Sequence, residues 1–355
     1  MSWSSGWWGP ALTSDQSDLR AMLDAFYAAH DPVLDDDPDA VAALVTELAE
    51  LGVWTLGTAE SAGGGGAERE LTALALERLG RAWPALGWAA AQAHAAIDVL
   101  AGDNRFTDLV AQIHTGQASV AVVDTVSAHV RLTFTGNALT GSIDRVDAAA
   151  LRPHLLVLDG SDRALLVSSA AVTFTALRRT GLGGALTRAA DVEATTDTID
   201  ELTGIDATSA RNRLRLGAAA VAAGIAGAAA DAAADYAADR HQFGDTLTAI
   251  PTVRQSLLGQ AARSITILGA ALTAENPVQA LAAAQQACDS AIQVAADALQ
   301  SHGGYGYLTE YSAECRLRDA VSLRAAVDTQ GAAIATARAL VSLPPAPTAL
   351  WKDAS

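Results

Sequence analysis

The sequence predicts a mostly helical α+β protein, with a smaller β-rich part between two helical parts. Three observations support this fold class. Before residue 117, apolar side chains recur at three- and four-residue spacing. Between residues 117 and 203 the pattern changes to short apolar runs, and dipeptides typical of turns separate these runs. Beyond residue 203, long alanine-rich stretches follow the helical spacing again.

The first part, residues 1–116, is predicted to be helical. Residues 18–29 and 39–51 both carry apolar side chains at helical spacing, and the Asp-Asp-Asp-Pro turn at 35–38 indicates a helix start. The loop at 59–67 contains four consecutive glycines. No Gly-Lys-Ser/Thr follows them, so we interpret this segment as a structural loop and not as a phosphate-binding P-loop.

The second part, residues 117–203, is predicted to contain short strands. Apolar runs begin at Ser119, Val130, His154 and Ala164, and turns of the Gly-Asn, Asp-Gly and Gly-Ser type separate them. Such runs are typical of a small β-rich module.

The third part, residues 204–355, is predicted to be a four-helix bundle. Breaks near 244–251, 275–277 and 303–306 divide it into four helices of roughly 20 to 28 residues, long enough for antiparallel packing. Small residues such as Gly224 let neighbouring helices approach closely. These faces favour a well-buried bundle or a subunit interface.

Composition excludes several classes of function. The 355 residues carry a formal net charge of −17, which disfavours nucleic acid as a partner because phosphates need a basic face. Any bound anion must therefore be held by a few well-placed arginines. No charge-free apolar run is long enough to span a bilayer, and residues 1–10 lack the basic start of a signal peptide. We expect a cytoplasmic protein that does not bind a membrane.

The cysteines and the first tryptophans give little functional information. Cys288 and Cys315 form no CxxC pair, so we expect neither a metal site nor a disulfide framework. Trp3, Trp7 and Trp8 could anchor the amino terminus or contact a partner, and the sequence leaves both possibilities open.

A first motif, Asp-Arg-His-Gln-Phe-Gly at 239–244, closes the first long helix of the third part. It places a planar cation, Arg240, beside the amide of Gln242 and the aromatic ring of Phe243. Such a group can clamp a pyrophosphate and pack against a planar ring system. The alternative is an exposed arginine that the helix dipole favours near a carboxyl-terminal end.

A second motif, Gln-Ser-His-Gly-Gly-Tyr-Gly-Tyr at 300–307, ends the third of these helices. Its three glycines expose backbone N–H groups and permit close approach of a ligand. The alternative is a glycine cap followed by a sharp turn. We interpret His302 as a turn or packing residue and not as an acid-base group.

Together, in this order and about sixty residues apart, the two motifs resemble those of the acyl-CoA dehydrogenase family. There, Arg-x-Gln/Thr-Phe-Gly precedes Gln-x-x-Gly-Gly-x-Gly. Residues 309–311 and 316–320 continue the family pattern, and residues 51–53 and 76–80 fit it more weakly. The resemblance implies an amino-terminal helical domain, a middle β-barrel-like domain and a carboxyl-terminal four-helix bundle.

The resemblance also implies a shared FAD. In this family the flavin lies between two subunits of a dimer, and the two motifs reach the adenine and pyrophosphate of the neighbouring subunit's cofactor. The residues that correspond to this cofactor-binding half are Arg240, Gln242, Phe243, Gln300, Gly303 and Gly304.

The catalytic glutamate of the family is missing. Counting from the Arg-Asp-Ala at 318–320, the family's Glu-Gly-Thr falls on Val327, Asp328 and Thr329. Valine cannot accept the α-proton of an acyl thioester. Asp328 is one residue along, about 100° away on a helix, and stays an alternative base. Some relatives place the base instead on the first long helix of the bundle, where Leu214 is also apolar.

The segments that handle the flavin ring and the substrate also depart from the family. Residues 123–129 replace the Thr-Glu-Pro-x-x-Gly-Ser-Asp stretch. The Gly-x-Lys-x-Trp-Ile-Thr segment has no clear counterpart near 139–146. The glutamine that usually follows Phe-Gly is displaced, with Pro251 near its place. The half of the site that serves a neighbour's adenine end is therefore retained, while the half that handles ring and substrate is not.

This asymmetry is the pattern expected of a subunit that completes its partner's site. It resembles the degenerate subunit of bacterial heterotetrameric acyl-CoA dehydrogenases, several of which act in steroid side-chain breakdown as α2β2 complexes. A catalytic partner would then bind most of the acyl-CoA. Two alternatives stay open: a homomeric flavoenzyme of altered chemistry that uses Asp328 or another acid as base, and a scaffold protein without flavin.

Overall fold

The computed structural model describes residues 6–31, 33–341 and 350 of the chain. Within them the chain forms the predicted mostly helical α+β fold, with its sheets between two groups of helices. Trp3 lies outside the described residues, as do residues 342–349 and 351–355 of the predicted third part. The division into domains at 116 and 203 stays a prediction.

The first group of helices begins with the turn that the sequence predicts. The side chain of Asp37 accepts a hydrogen bond from the N–H of Asp39 (3.0 Å), and Pro38 occupies the first helical position, where its missing N–H costs nothing. The helices of this group are α1 (Ser14–Ala28), α2 (Pro38–Glu50), α3 (Arg69–Ala82), α4 (Pro84–Leu100) and α5 (Thr107–His114).

Two four-stranded sheets follow. Their strands are β1 (Val120–Asp124), β2 (Val130–Thr135), β3 (Ala138–Val146), β4 (His154–Asp159), β5 (Arg163–Val167), β6 (Val172–Ala176), β7 (Arg188–Thr195) and β8 (Ile199–Thr203). One sheet has the order β1-β4-β5-β8, in which β1 and β4 run parallel, and the other has the antiparallel order β2-β3-β7-β6. The four predicted strands correspond to β1, β2, β4 and β5.

The strand β4 is buried on both faces, which explains its unbroken apolar run. Leu155 and Val157 contribute to the core between the two sheets, whereas Leu156 and Leu158 contribute to the core shared with the helices. The core between the sheets also holds Leu350, whose carbonyl accepts a hydrogen bond from the N–H of Phe134 (3.0 Å).

The second group of helices differs from the predicted four in two respects: α6, with 33 residues, is longer than the predicted 20 to 28, and the last helix is divided. Its helices are α6 (Ala207–Asp239), α7 (Pro251–Thr273), α8 (Pro277–His302), α9 (Ala313–Val327) and α10 (Thr329–Leu340). The predicted last helix is broken at Asp328, which adopts a left-handed backbone conformation with φ of 43°. Aspartate tolerates this conformation better than most residues, because its short polar side chain can bond locally.

The long helix α6 lies at the centre of the molecule. By length and composition it could cross a membrane, yet 83% of its most apolar window is buried inside the protein, as in the core helix of a soluble fold. It approaches α3 closely because glycines face the contact. A β-carbon at Gly224 would lie 2.1 Å from the carbonyl oxygen of Glu77.

Buried charges also join α3 to α6. Glu77, only 1% exposed, pairs with Arg78 and Arg81 (both 2.7 Å), and Arg81 pairs with Asp231 on α6 (2.6 Å). The indole N–H of Trp8 donates to Asp231 (3.1 Å). Trp8 therefore anchors the start of the described chain to the helical core.

Candidate functional site

The first motif forms a tight turn where α6 ends. Arg240 caps the helix, and its N–H donates to the carbonyl of Tyr236 (2.9 Å). The chain then reverses through a two-residue hairpin, β9 (His241–Gln242) and β10 (Asp245–Thr246), whose central residues Phe243 and Gly244 both have positive φ. This pattern matches a type I′ hairpin turn, whose twist suits paired strands.

Phe243 is unusual in this turn. A bulky residue at φ of 57° is strained, and strain of this kind is commonly maintained for function. Its side chain is 94% exposed, so the ring packs against almost nothing in this chain. Gln242 beside it is exposed as well. Both side chains are available to another molecule.

The second motif makes an open surface where α8 ends. Gly303 adopts φ of 57° and ψ of −138°, a conformation open essentially to glycine alone. Among the described residues, no heavy atom beyond the chain neighbours lies within 4 Å of a β-carbon built on Gly303 or Gly304. Gln300, before them, is also exposed. His302, by contrast, is buried and stacks on Tyr236 at 4.5 Å between ring centroids, in the packing position expected for it.

The structure brings the two motifs together. The guanidinium carbon of Arg240 lies 5.0 Å from the ring centroid of Tyr305, a cation–π contact that joins the end of α6 to the end of α8. We call the set of Arg240, Gln242, Phe243, Gln300, Gly303 and Gly304 the motif surface. The contribution of Tyr305 was missed by the sequence analysis, although a tyrosine inside a glycine-rich motif next to an arginine motif could have suggested it.

The two predicted positions for a catalytic base meet in one cavity. Val327, at the end of α9, and Leu214, in the first turns of α6, both line a cavity of about 110 Å³ between the helices and the sheets. They are more than one hundred residues apart in the chain. Their meeting supports the gap-free count that placed Val327 opposite the family's glutamate.

Ion pairs occupy the surroundings of this cavity. Asp124, in the segment that departs from the family, forms a two-pronged pair with Arg211 (2.6 and 3.0 Å). On another wall the buried Asp147 pairs with Arg145 and accepts a hydrogen bond from Thr187. These charged side chains occupy the walls of the cavity, and each of them already has an ion-pair partner.

The cavity is too small for a flavin ring. An apolar cavity of about 150 Å³ holds one benzene molecule. The space beside Val327 is smaller than that, whereas an isoalloxazine has three fused rings and would share the site with a thioester. Within this chain alone, the cavity therefore does not enclose the ring half of FAD. The N–H of Gly303 donates to the carbonyl of Gln300 and is therefore not the free donor that the sequence suggested, but the cation of Arg240 and the uncovered glycine backbone fit the ADP half of FAD.

Asp328 lies closer to this cavity than the sequence suggested. We expected it to point about 100° away from Val327 because a continuous helix would rotate it. That expectation is wrong, since α9 ends at Val327 and Asp328 also lines the cavity. Its Oδ2 atom is buried and has no hydrogen-bond partner among the described residues.

The chain belongs to the acyl-CoA dehydrogenase family. The family model of the acyl-CoA dehydrogenase N-terminal domain matches residues 13–102, and that of the C-terminal domain matches residues 205–327. Together these matches cover more than half of the chain. The predicted family is thereby confirmed. Members of this family are FAD-binding oxidoreductases that act on CH–CH bonds.

Solved structures share the fold at low sequence identity. Butyryl-CoA dehydrogenase from Megasphaera elsdenii superposes with a TM-score of 0.74 at 20% identity, covering 94% of this chain and 99% of that chain. An acyl-CoA dehydrogenase from Bacillus anthracis complexed with FAD gives 0.75 at 18%, covering 93% and 68%. A variant of the Tcur3481-Tcur3483 steroid ACAD gives 0.72 at 20%, covering 92% and 98%. No curated protein matches the sequence.

Proposed function

We propose that this chain is a non-catalytic subunit of a heteromeric FAD-dependent acyl-CoA dehydrogenase. Its motif surface would complete the ADP half of a flavin site, while the flavin ring and the catalytic base belong to a partner subunit. The observation that carries the proposal is a contrast within one chain. The motif surface is open, whereas the cavity around Val327 is small, apolar at both base positions and walled by ion pairs.

The chemistry of the motif surface suits a pyrophosphate. The guanidinium of Arg240 can make charge-assisted hydrogen bonds to phosphate oxygens, and Gly303 and Gly304 have no side chains that would keep a ligand from the backbone. Because the chain has a net charge of −17, this attraction must come from local groups. The exposed ring of Phe243 would be buried by the partner or by the cofactor.

The assembly that follows is an α2β2 complex in which the partner binds most of the acyl-CoA. The partner's base would remove the α-proton as hydride leaves the β-carbon for its flavin, giving the α,β-unsaturated thioester. The Tcur3481-Tcur3483 structure, whose name joins two components and specifies a steroid ACAD, supports a steroid side-chain CoA as the substrate class. We expect the complex to be cytoplasmic.

The direct test is flavin retention by the complex with its catalytic partner. Replacing Arg240 with Ala removes a charge-assisted bond to the pyrophosphate and should weaken FAD binding by about tenfold or more. Flavin absorbance after dialysis against graded FAD concentrations measures this change. The control is Arg131→Ala, which removes an exposed arginine of β2 that pairs with Asp144. Equal flavin retention by the two variants would refute the proposed role of Arg240.

A second candidate function rests on Asp328. Its carboxylate lines the cavity and has an unpartnered buried oxygen, so it is placed where a base could act on a small substrate. The chain would then be a homomeric flavoenzyme of altered chemistry. The size of the cavity disfavours this candidate, because a space of about 110 Å³ does not enclose a flavin ring.

A further inference from the structure

A second and larger cavity, of about 480 Å³, lies on another side of α6. Leu214 and Arg215 line the cavity beside Val327, whereas Asn212, Arg213 and Gly217 line this one. It opens between α3, the start of α6 and the turn that joins α7 to α8. The motif surface, at the opposite end of α6, contributes no residue to it. We call it the lateral cavity.

Three helices begin at the lateral cavity. Arg69 is the first residue of α3, Ser209 lies in the first turn of α6, and Asn276 is the residue that caps α8. The amino-terminal end of a helix carries partial positive charge and unpaired N–H groups. The start of α3 has no side-chain cap among the described residues. The starts of α6 and α8 are already capped by the side chains of Asp206 and Asn276, so the uncapped start of α3 is the end that favours a negatively charged group.

Arg69 adds a full positive charge at this opening. Its Nη1 donates to the carbonyl oxygen of Ala274 (2.6 Å) at the carboxyl-terminal end of α7, which orients the guanidinium. Within the described part of the chain, no carboxylate lies within ion-pair distance of Arg69. The charge of Arg213 is already compensated by Asp98 (2.8 Å), and Glu275 on the rim is exposed to solvent. One uncompensated cation suits a monoanion.

The deep part of the lateral cavity is mostly apolar, in contrast to its charged opening. Its inner wall is formed by apolar groups, among them Ala73, Leu76 and Ala271, all of which are buried. Asn212 also lines the cavity, and its buried Oδ1 has no hydrogen-bond partner in the part of the chain that the structure describes. A buried acceptor without a partner costs about 1–3 kcal/mol.

We propose that the lateral cavity binds a small amphipathic carboxylate. The carboxylate would lie against Arg69 and the uncapped start of α3, and the apolar body would extend over Leu76 and Ala271. A ligand that also carries a polar hydrogen would satisfy Asn212, whereas hexanoate tests the carboxylate and the apolar body alone. This site is separate from the flavin half-site, and its assignment does not depend on the proposed function.

Calorimetric titration of the full chain with hexanoate, acetate and hexylamine tests the assignment. Hexanoate should bind more tightly than acetate, because only hexanoate reaches the apolar wall, and hexylamine should not bind. Arg69→Gln should weaken hexanoate binding by about tenfold, since it removes the charge at an exposed position. Asn212→Asp, which adds a negative charge inside the cavity, should weaken it as well.

Arg215→Gln is the matched control, because Arg215 lines the cavity beside Val327. It should leave hexanoate binding unchanged. The assignment is overturned if hexanoate does not bind, if hexylamine or acetate binds equally well, or if Arg69→Gln has no effect. It is also overturned if Arg215→Gln, and not Arg69→Gln, abolishes binding, since the ligand would then occupy the other cavity.

Discussion

Val327 and Asp328 are neighbours in the chain, yet they present different chemistry to the same cavity. The isopropyl group of Val327 cannot take a proton, while the carboxylate of Asp328 can. Asp328 lines the cavity only because α9 ends one residue earlier and the backbone turns left-handed. Asp328 is therefore the first residue to test for a base that belongs to this chain.

Replacing Asp328 with Asn keeps the shape of the side chain and removes its basicity. We expect the purified complex to keep its turnover with an acyl-CoA substrate, because the proposed base belongs to the partner. Steady-state kinetics of the complex measure this directly. A drop in kcat of several orders of magnitude, with FAD still bound, would favour the homomeric enzyme with Asp328 as its base.

His94 on α4 controls part of the pH dependence of stability. Its Nε2 accepts a hydrogen bond from the N–H of Gly57 (3.0 Å), its Nδ1 faces the carbonyl of Ala90 (2.8 Å), and the ring is buried. Burial lowers the pKa of His94 from 6.5 to about 4. Between pH 6.5 and about pH 4, His94 is protonated in the unfolded chain and neutral in the folded chain. The free energy of unfolding should therefore fall as the pH drops through this window.

The full effect of His94 amounts to roughly 3 kcal/mol over the window. Urea denaturation at a series of pH values measures it, and a His94→Gln variant isolates it from the contributions of other groups. The variant should lose less stability than the wild type between about pH 6.5 and about pH 4. Parallel curves for the two proteins would contradict this account of the buried ring.

At the scale of elements, the contact between α3 and α6 depends on glycine. Gly224→Ala would gain up to about 1 kcal/mol of helix propensity, but its β-carbon would lie 2.1 Å from the carbonyl oxygen of Glu77. The helices would have to separate, so we expect a net loss of about 1–3 kcal/mol.

The matched control is Gly269→Ala on α7, where no atom lies within 4 Å of the added β-carbon. That variant should gain about 0.5–1 kcal/mol, because only the helix propensity changes. Thermal or urea unfolding of both variants provides the comparison. Stabilisation by both substitutions would show that α3 and α6 are less tightly packed than the structure indicates.

The hydrophobic pattern of the sequence predicted the strands and helices in which consecutive side chains are buried, and it missed other elements. The run that becomes β4 is apolar on both faces and was easily identified. The strand β7, which reads Arg-Ala-Ala-Asp-Val-Glu-Ala-Thr, buries only alternate small side chains and has no apolar run. The break at Asp328 was also missed, because no glycine or proline marks it.

At the scale of the whole molecule, the clearest contrast is between the surroundings of the two ends of α6. Near its start, Leu214 and the ion pair of Arg211 with Asp124 line the small cavity that would serve this chain's own chemistry. At its end, Arg240 and Phe243 belong to an open surface. Family membership accounts for the shared fold, and the contrast is the basis for proposing a supporting subunit.

The candidate site could be predicted only in part. Motif spacing placed Arg240 and Gly303 in one region, and counting residues placed Val327 where it meets Leu214. Neither motif spacing nor residue counting could reveal the ion pairs that line the cavity. Arg211 and Asp124 are 87 positions apart, and nothing local in the sequence couples them.

The most direct test of the central claim is the ratio of flavin to chain, together with the molecular mass, for the protein alone and with its catalytic partner. The account predicts a colourless protein alone and a yellow complex that holds one FAD for each pair of chains. A homo-oligomer that binds one FAD per chain would contradict the account, and the search for a base would then begin at Asp328.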